Sequence, residues 1–182
     1  MTSQQENNVC WTVNSRLENR YHYTAWQPIY SEETLLADAY NDMQNYVTAV
    51  QADIPWIVQL VENPKYRFFR FGLLQGATSL FVHDLLHIIL QKDMKMAGEA
   101  YVIGFTMGST KKSTKVDSWL FRLFSKYLYP KEFRFNNKQL AIFNQGVQDG
   151  LTSTSNDLHR INTEELFGRS LTDIRTFLKV PV

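Results

Sequence analysis

Apolar positions along this chain recur at intervals of three and four, the period of helices buried on one side. Leu35, Leu36, Ala39, Met43, Tyr46, Val47 and Val50 keep that spacing. The preceding Ser31-Glu32-Glu33-Thr34 reads as a helix start, with Ser31 as N-cap and acidic residues in the first turn. Asp53 and Pro55 open a short segment, Trp56 to Val61, which Asn63-Pro64 breaks. From about Tyr66 to Leu90 the chain is apolar almost all round, which predicts one long buried helix. Gly72 and Gly76 would lie on one face of it, where a neighbouring helix can come close. Gln91 to Lys95 is a polar turn, and another helix starts near Met96. Gly104, Gly108, Ser109 and Thr110 predict that this helix ends soon after Phe105. Thr114 to Leu128 and Asn136 to Leu151 are amphipathic, the first stopped before Pro130. Thr163-Glu164-Glu165-Leu166 begins a short helix, and Ser170-Leu171-Thr172-Asp173 caps a last one. No window alternates long enough to argue for a strand. The expectation is an all-α single domain over residues 1–182, with about seven helices.

Composition narrows the class. At 182 residues, with 44% hydrophobic and 20% charged residues, the chain has the makings of an ordinary globular core. A net charge of +1 argues against a dedicated nucleic-acid binder. Cys10 is the single cysteine, so neither an intramolecular disulfide nor a thiolate zinc site can form, and a reducing, cytoplasmic location fits. Met1 to Asn8 is polar and has no apolar signal stretch. Phe71 to Leu90 could pass for a membrane span, but it includes His83, Asp84 and His87. Ionisable groups at mid-bilayer cost on the order of 3 kcal/mol each, so a buried helix is the better reading. Twelve Phe, nine Tyr and four Trp exceed what packing requires, which suggests that some line a ligand site.

The chemistry concentrates in His83-Asp84-Leu85-Leu86-His87 and in Glu99. On a helix, residues 83 and 87 stack on one face, and residue 84 borders it about 100° away. Neutral imidazole and carboxylate together suit zinc first, then iron or manganese. Glu99 would be about 18 Å from His87 on an unbroken helix, at ~1.5 Å per residue, so it can join only if the chain reverses at Gln91–Lys95. The metal reading is therefore also the prediction of a helical hairpin, with Gly98 permitting close approach. Other metal patterns fit less well. A metalloprotease box needs Glu directly after the first His, where this chain has Asp84. A His-Asp phosphohydrolase needs a further upstream His, for which His22 is the sole candidate.

The spacing H-D-x-x-H-x(11)-E, with Gly before the Glu, resembles the signature of the coenzyme Q (ubiquinone) biosynthesis protein 4 family. His83, Asp84, His87, Gly98 and Glu99 each match it. The stretch Ser170-Leu171-x-x-Ile174-Arg175-x-x-Leu178 is similar to that family's C-terminal helix. The likeness covers about residues 66–110 well and 160–180 loosely. The chain departs from the family where Thr78, Leu80 and Val82 replace arginines before the first His, and where Lys92-Asp93-Met94-Lys95 replaces a Pro-containing turn. It looks like a divergent, short, bacterial-type member. The resemblance implies an all-α fold, a metal held by His83, Asp84, His87 and Glu99, a tunnel for a polyprenyl chain, and a homodimer at the inner face of a membrane. It also implies oxidative decarboxylation of a prenylated aromatic acid, or a non-catalytic scaffold that organises other quinone-biosynthesis enzymes.

A prenyl tail needs an apolar wall and a route from the membrane. Phe68, Phe71, Leu74 and Phe81 around the metal helix are the expected lipid contacts. Lys111 to Phe135 carries seven basic residues against Asp117 and Glu132, with aromatics interleaved. Lys115, Trp119, Arg122 and Lys126 are the expected contacts with an anionic membrane surface.

Overall fold

Helices and the turns between them make up the computed structural model, which describes residues 24–47, 78–129, 131, 134–155 and 157–180. The helices are α1 (Leu36–Val47), α2 (Leu80–Ile89), α3 (Met96–Ser109), α4 (Lys115–Leu123), α5 (Asn137–Thr152), α6 (Thr163–Leu166) and α7 (Leu171–Leu178). Among the described residues there is no strand beyond an isolated antiparallel bridge between Leu35 and Ser170. The all-α expectation therefore holds. The expectations at Trp56–Val61, Gly72 and Gly76 lie outside the described residues.

Two helix starts differ from the sequence reading. The first helix begins at Leu36, not at Ser31. The backbone around Leu35 is claimed by the other end of the chain: Leu36 N–H donates to the Arg169 carbonyl (3.1 Å) and Leu171 N–H to that of Thr34 (2.9 Å). Ser31 and Thr34 close a separate turn on each other instead. The helix that carries His83 and His87 begins at Leu80, because Ser79 is extended (φ −69°, ψ 152°) and caps Val82 N–H with its hydroxyl. The starts of α4 and α5 fall where expected, each fixed by a capping box, Thr114 with Asp117 and Asn136 with Gln139.

Helix α3 runs between two apolar cores and feeds both. On one side Leu85, Leu86, Ile88 and Ile89 of α2 pack with Val102, Phe105, Leu36, Met43, Leu171 and Ile174. On the other, Ala100 and Met107 meet Phe121, Tyr129, Phe135, Leu140 and Phe143. There Phe121 stacks on Phe143 with ring centroids 4.4 Å apart.

The α3–α5 pair is the most extensive helix contact among the described residues, and glycine makes it. Gly104 and Gly108 lie against the backbone of Phe143, Val147 and Leu151, and Gly146 and Gly150 lie against that of Tyr101, Phe105 and Ser109. A Cβ at any of the four would collide with a main-chain carbonyl of the opposite helix. Helix α3 ends at Ser109, soon after Phe105 as expected, and its glycines do more than mark that end. They are two halves of a reciprocal small-residue crossing inside it.

Two cations fasten helix ends. Lys111, at the left-handed residue that terminates α3 (φ 56°), donates its ammonium to the Gly150, Leu151 and Ser153 carbonyls at the end of α5. Burial lowers the pKa of this lysine. The buried Arg175 of α7 donates from Nε to the Ile89 carbonyl (3.0 Å), at the C-terminus of α2. Its NH1 holds both carboxylate oxygens of Glu32, at 2.7 and 2.8 Å.

Candidate metal centre

The centre is built at the reversal between α2 and α3. Helix α2 ends in a Schellman turn: Lys92 N–H donates to the His87 carbonyl (2.9 Å) and Gln91 N–H to that of Ile88 (3.2 Å). Gln91 takes the left-handed conformation this turn requires (φ 52°). After four more residues Met96 starts α3, and Glu99 falls in its first turn, where a carboxylate is favoured by the helix dipole. The chain reversal sets Glu99 beside both histidines.

Three atoms converge there. His83 Nε2 lies 2.9 Å from Glu99 Oε2 and 3.1 Å from His87 Nε2. His87 Nε2 lies 3.5 Å from Glu99 Oε2. The His87 side chain is fully buried, whereas those of His83 and Glu99 are 14% and 18% exposed, so the centre sits at the edge of the core with one side open.

Hydrogen bonding assigns the protons. His87 Nδ1 is 3.1 Å from two carbonyl oxygens, those of Lys92 and Asp93, and carbonyls only accept. Nδ1 therefore carries a hydrogen, which leaves Nε2 facing the triangle. Burial raises the Glu99 carboxyl, but the facing His87 and His83 more than offset this and hold it well below the ordinary carboxylate range.

The donor set fits a divalent cation. Ligand bonds of about 2.1 Å in tetrahedral geometry place ligand atoms about 3.4 Å apart. The three observed separations straddle that value, so the side chains need to spread by only a few tenths of an ångström. Two imidazoles and one carboxylate with a free fourth side match both catalytic zinc and the two-histidine, one-carboxylate iron site. His83, His87 and Glu99 form a group that can hold a metal ion, and these donors do not by themselves fix which metal.

Comparisons with protein-family models, with curated proteins and with solved structures find no match. The case for this centre rests on its own geometry.

Asp84, expected as a fourth ligand, is not one of the converging residues. It is buried, and the turn of the helix directs it towards α1, where together with burial it raises the pKa of the Tyr40 phenol. Phe81, an expected lipid contact, is 37% exposed and stacks on Phe167, with Tyr40 edge-on to both. Phe68, Phe71 and Leu74 lie outside the described residues. A cavity of about 560 Å³ abuts the outer side of the metal turn, lined by Tyr30, Gln91, Lys92, Asp93, Gly98 and Tyr101 among others.

The expected membrane-surface segment forms α4 and a π-turn, Phe124–Leu128. Val116, Trp119, Leu123, Tyr127 and Leu128 are exposed along it. Lys115 and Arg122 are exposed on the same element, and Lys126 is partly so. Among the described residues no helix is long and apolar enough to cross a membrane.

Sequence reasoning missed two contributors to the centre. One is the pair of turn carbonyls, Lys92 and Asp93, because main-chain groups leave no residue signature. The other is Arg175, which fastens the end of α2 from 86 residues beyond Ile89.

Proposed function

We propose that this protein is a metal-dependent member of the coenzyme Q biosynthesis protein 4 family, acting on a prenylated aromatic acid in quinone synthesis. The observation that carries the metal half is the triangle of His83 Nε2, His87 Nε2 and Glu99 Oε2 at 2.9, 3.1 and 3.5 Å. The substrate half rests on the sequence resemblance in the same stretch. A bound divalent ion, with zinc first among zinc, iron and manganese, supplies a Lewis acid and a template for a ring carboxylate and its neighbouring phenolate. Glu99 and the two imidazoles leave one side open for such a substrate. His87, pinned on its far nitrogen, keeps that geometry while substrate enters. Phe81, partly exposed beside Tyr40 and Phe167, is the expected apolar-tail contact within the described residues, alongside the expected Phe68, Phe71 and Leu74.

The first test is metal binding. Purified protein titrated with zinc, iron(II) and manganese(II) is expected to bind one equivalent, and His87→Ala or Glu99→Ala to weaken binding more than about 100-fold. Equal affinity in wild type and both variants would remove the metal reading. The second test is complementation of a quinone-deficient strain with the same variants. Loss of rescue is expected.

The alternative reading is a non-catalytic scaffold that holds prenyl lipid and partner enzymes as a homodimer. The exposed apolar face of α4 and its π-turn favours it, because such a face needs something to cover it. Full rescue by both His87→Ala and Glu99→Ala would decide for the scaffold. With its flanking lysines and arginine, the same face suits an anionic membrane surface, and we place the protein there as a peripheral protein.

A further inference from the structure

The turn that carries Glu99 back to the histidines also touches the far side of His87. Asp93 presents its carbonyl to His87 Nδ1 at 3.1 Å, beside that of Lys92 at the same distance. On its other side the same Asp93 carbonyl presses on Gly98, so closely that a Cβ built on Gly98 would overlap the oxygen. The clash would be with main chain, which cannot swing away as a side-chain tip can. Gly98, the first turn of α3, Asp93 and the His87 ring thus form one stacked unit, and Gly98 is the member whose size sets its thickness.

We propose that Gly98 is a positioning residue. By admitting the Asp93 carbonyl, it fixes the His87 ring with Nδ1–H donated to the turn, and so holds Nε2 facing His83 and Glu99 before any metal is present. The importance of this lock for metal affinity rests on the metal reading above, but the lock itself does not. A carbonyl that accepts from the distal nitrogen of a ligating histidine fixes the ring's orientation and raises its basicity, and such groups are worth about 10–100-fold in affinity. An alanine at 98 must push the Asp93 carbonyl off its seat. The ring then keeps at best the Lys92 carbonyl and is free to exchange tautomers.

The experiment is a two-bond proton–nitrogen correlation spectrum of metal-free protein labelled with ¹⁵N-histidine, in wild type and Gly98→Ala, with a zinc titration of each. At a pH where the ring is neutral, wild-type His87 is expected to carry its proton on Nδ1. Gly98→Ala is expected to show mixed tautomers and a zinc Kd weakened about 10–100-fold. A neutral wild-type His87 with its proton on Nε2 overturns the proposal whether or not the variant folds. An unchanged tautomer and unchanged zinc affinity in a folded Gly98→Ala protein also overturn it. Wild type that shows the Nδ1–H tautomer and yet binds no zinc supports the lock and overturns the metal reading, so the two failures are distinct.

Discussion

The two ends of α3 make contacts of opposite kinds. Near its start, Glu99 reaches across to α2 and the contact is made by side chains: two imidazoles and a carboxylate around one point. Further along, Gly104 and Gly108 meet Gly146 and Gly150 of α5, and the contact exists because side chains are missing. The first junction is specified by chemistry and is open to solvent on one side. The second is specified by shape and is closed. One helix rigidly couples them, so the position of Glu99 depends on a packing surface with no polar role of its own.

The largest break in this comparison comes from the packing end. Gly104→Leu places a branched side chain where the Phe143 carbonyl lies. Overpacking of this kind, against backbone that cannot yield, is expected to cost more than about 4 kcal/mol, and Gly104→Ala about 2–3 kcal/mol. Urea unfolding followed by far-UV circular dichroism reads both. A Gly104→Leu protein as stable as wild type would mean that the close crossing is not what holds α3 and α5 together.

The same contrast explains what could be read in the sequence. His83, His87 and Glu99 carry their chemistry in their identities, and the arithmetic of helix rise turned them into a prediction of chain reversal at Gln91–Lys95. The reversal is there, with His83 Nε2 2.9 Å from Glu99 Oε2. The cap at Ser170 was legible for a similar reason, since its side chain accepts a hydrogen bond three residues on, from Asp173 N–H. Gly104 and Gly108 signalled the helix end at Ser109, but the close crossing they make was not legible, because it exists only once the partner helix is known. Asp84 does not join His83, His87 and Glu99, since one residue turns a helix by about 100°. The start of α1 was lost to a tertiary competitor, the chain at 169–171, which no local rule contains.

Next in size is the clasp on the metal helix. Arg175→Ala removes the donor to the Ile89 carbonyl and the partner of Glu32. Charge-assisted bonds of this kind are worth about 1.5–3 kcal/mol, so a destabilisation near 2–3 kcal/mol is expected. Arg175→Lys keeps the charge but not the fork that spans carbonyl and carboxylate, and should recover less than half of the loss. If lysine restores full stability, the charge alone matters and the planar geometry does not.

A smaller effect sharpens the chemical end. Ligating imidazoles must be neutral, so protons compete with metal, whereas Glu99 is held well below the ordinary carboxylate range and stays anionic. Zinc affinity should therefore fall as pH falls from about 7.5 to 5.5, by roughly tenfold or more, through the histidines and not through Glu99. That corresponds to about 1.4 kcal/mol per factor of ten. Competition against a chromophoric chelator measures it. Affinity that is flat across this range and lost only in stronger acid would make carboxylates, not imidazoles, the principal donors.

The smallest stability effect belongs to the surface that neither end of α3 uses. Trp119 is 59% exposed and Tyr127 60%, on an element that also carries Lys115, Arg122 and Lys126. Trp119→Ser should change unfolding free energy by less than about 0.5 kcal/mol, since little is buried there in the isolated chain. Its effect on vesicle binding should be far larger, because the apolar face would insert while the cations meet anionic headgroups. Co-sedimentation with anionic vesicles is expected for wild type, weakened by added salt and by Trp119→Ser, with little pelleting on neutral vesicles. Equal pelleting on both vesicle types, or on neither, would take the membrane out of the account and leave a protein partner as the cover for this face. A Trp119→Ser protein that unfolds easily would say instead that the face is already packed in solution, against a second copy of the chain.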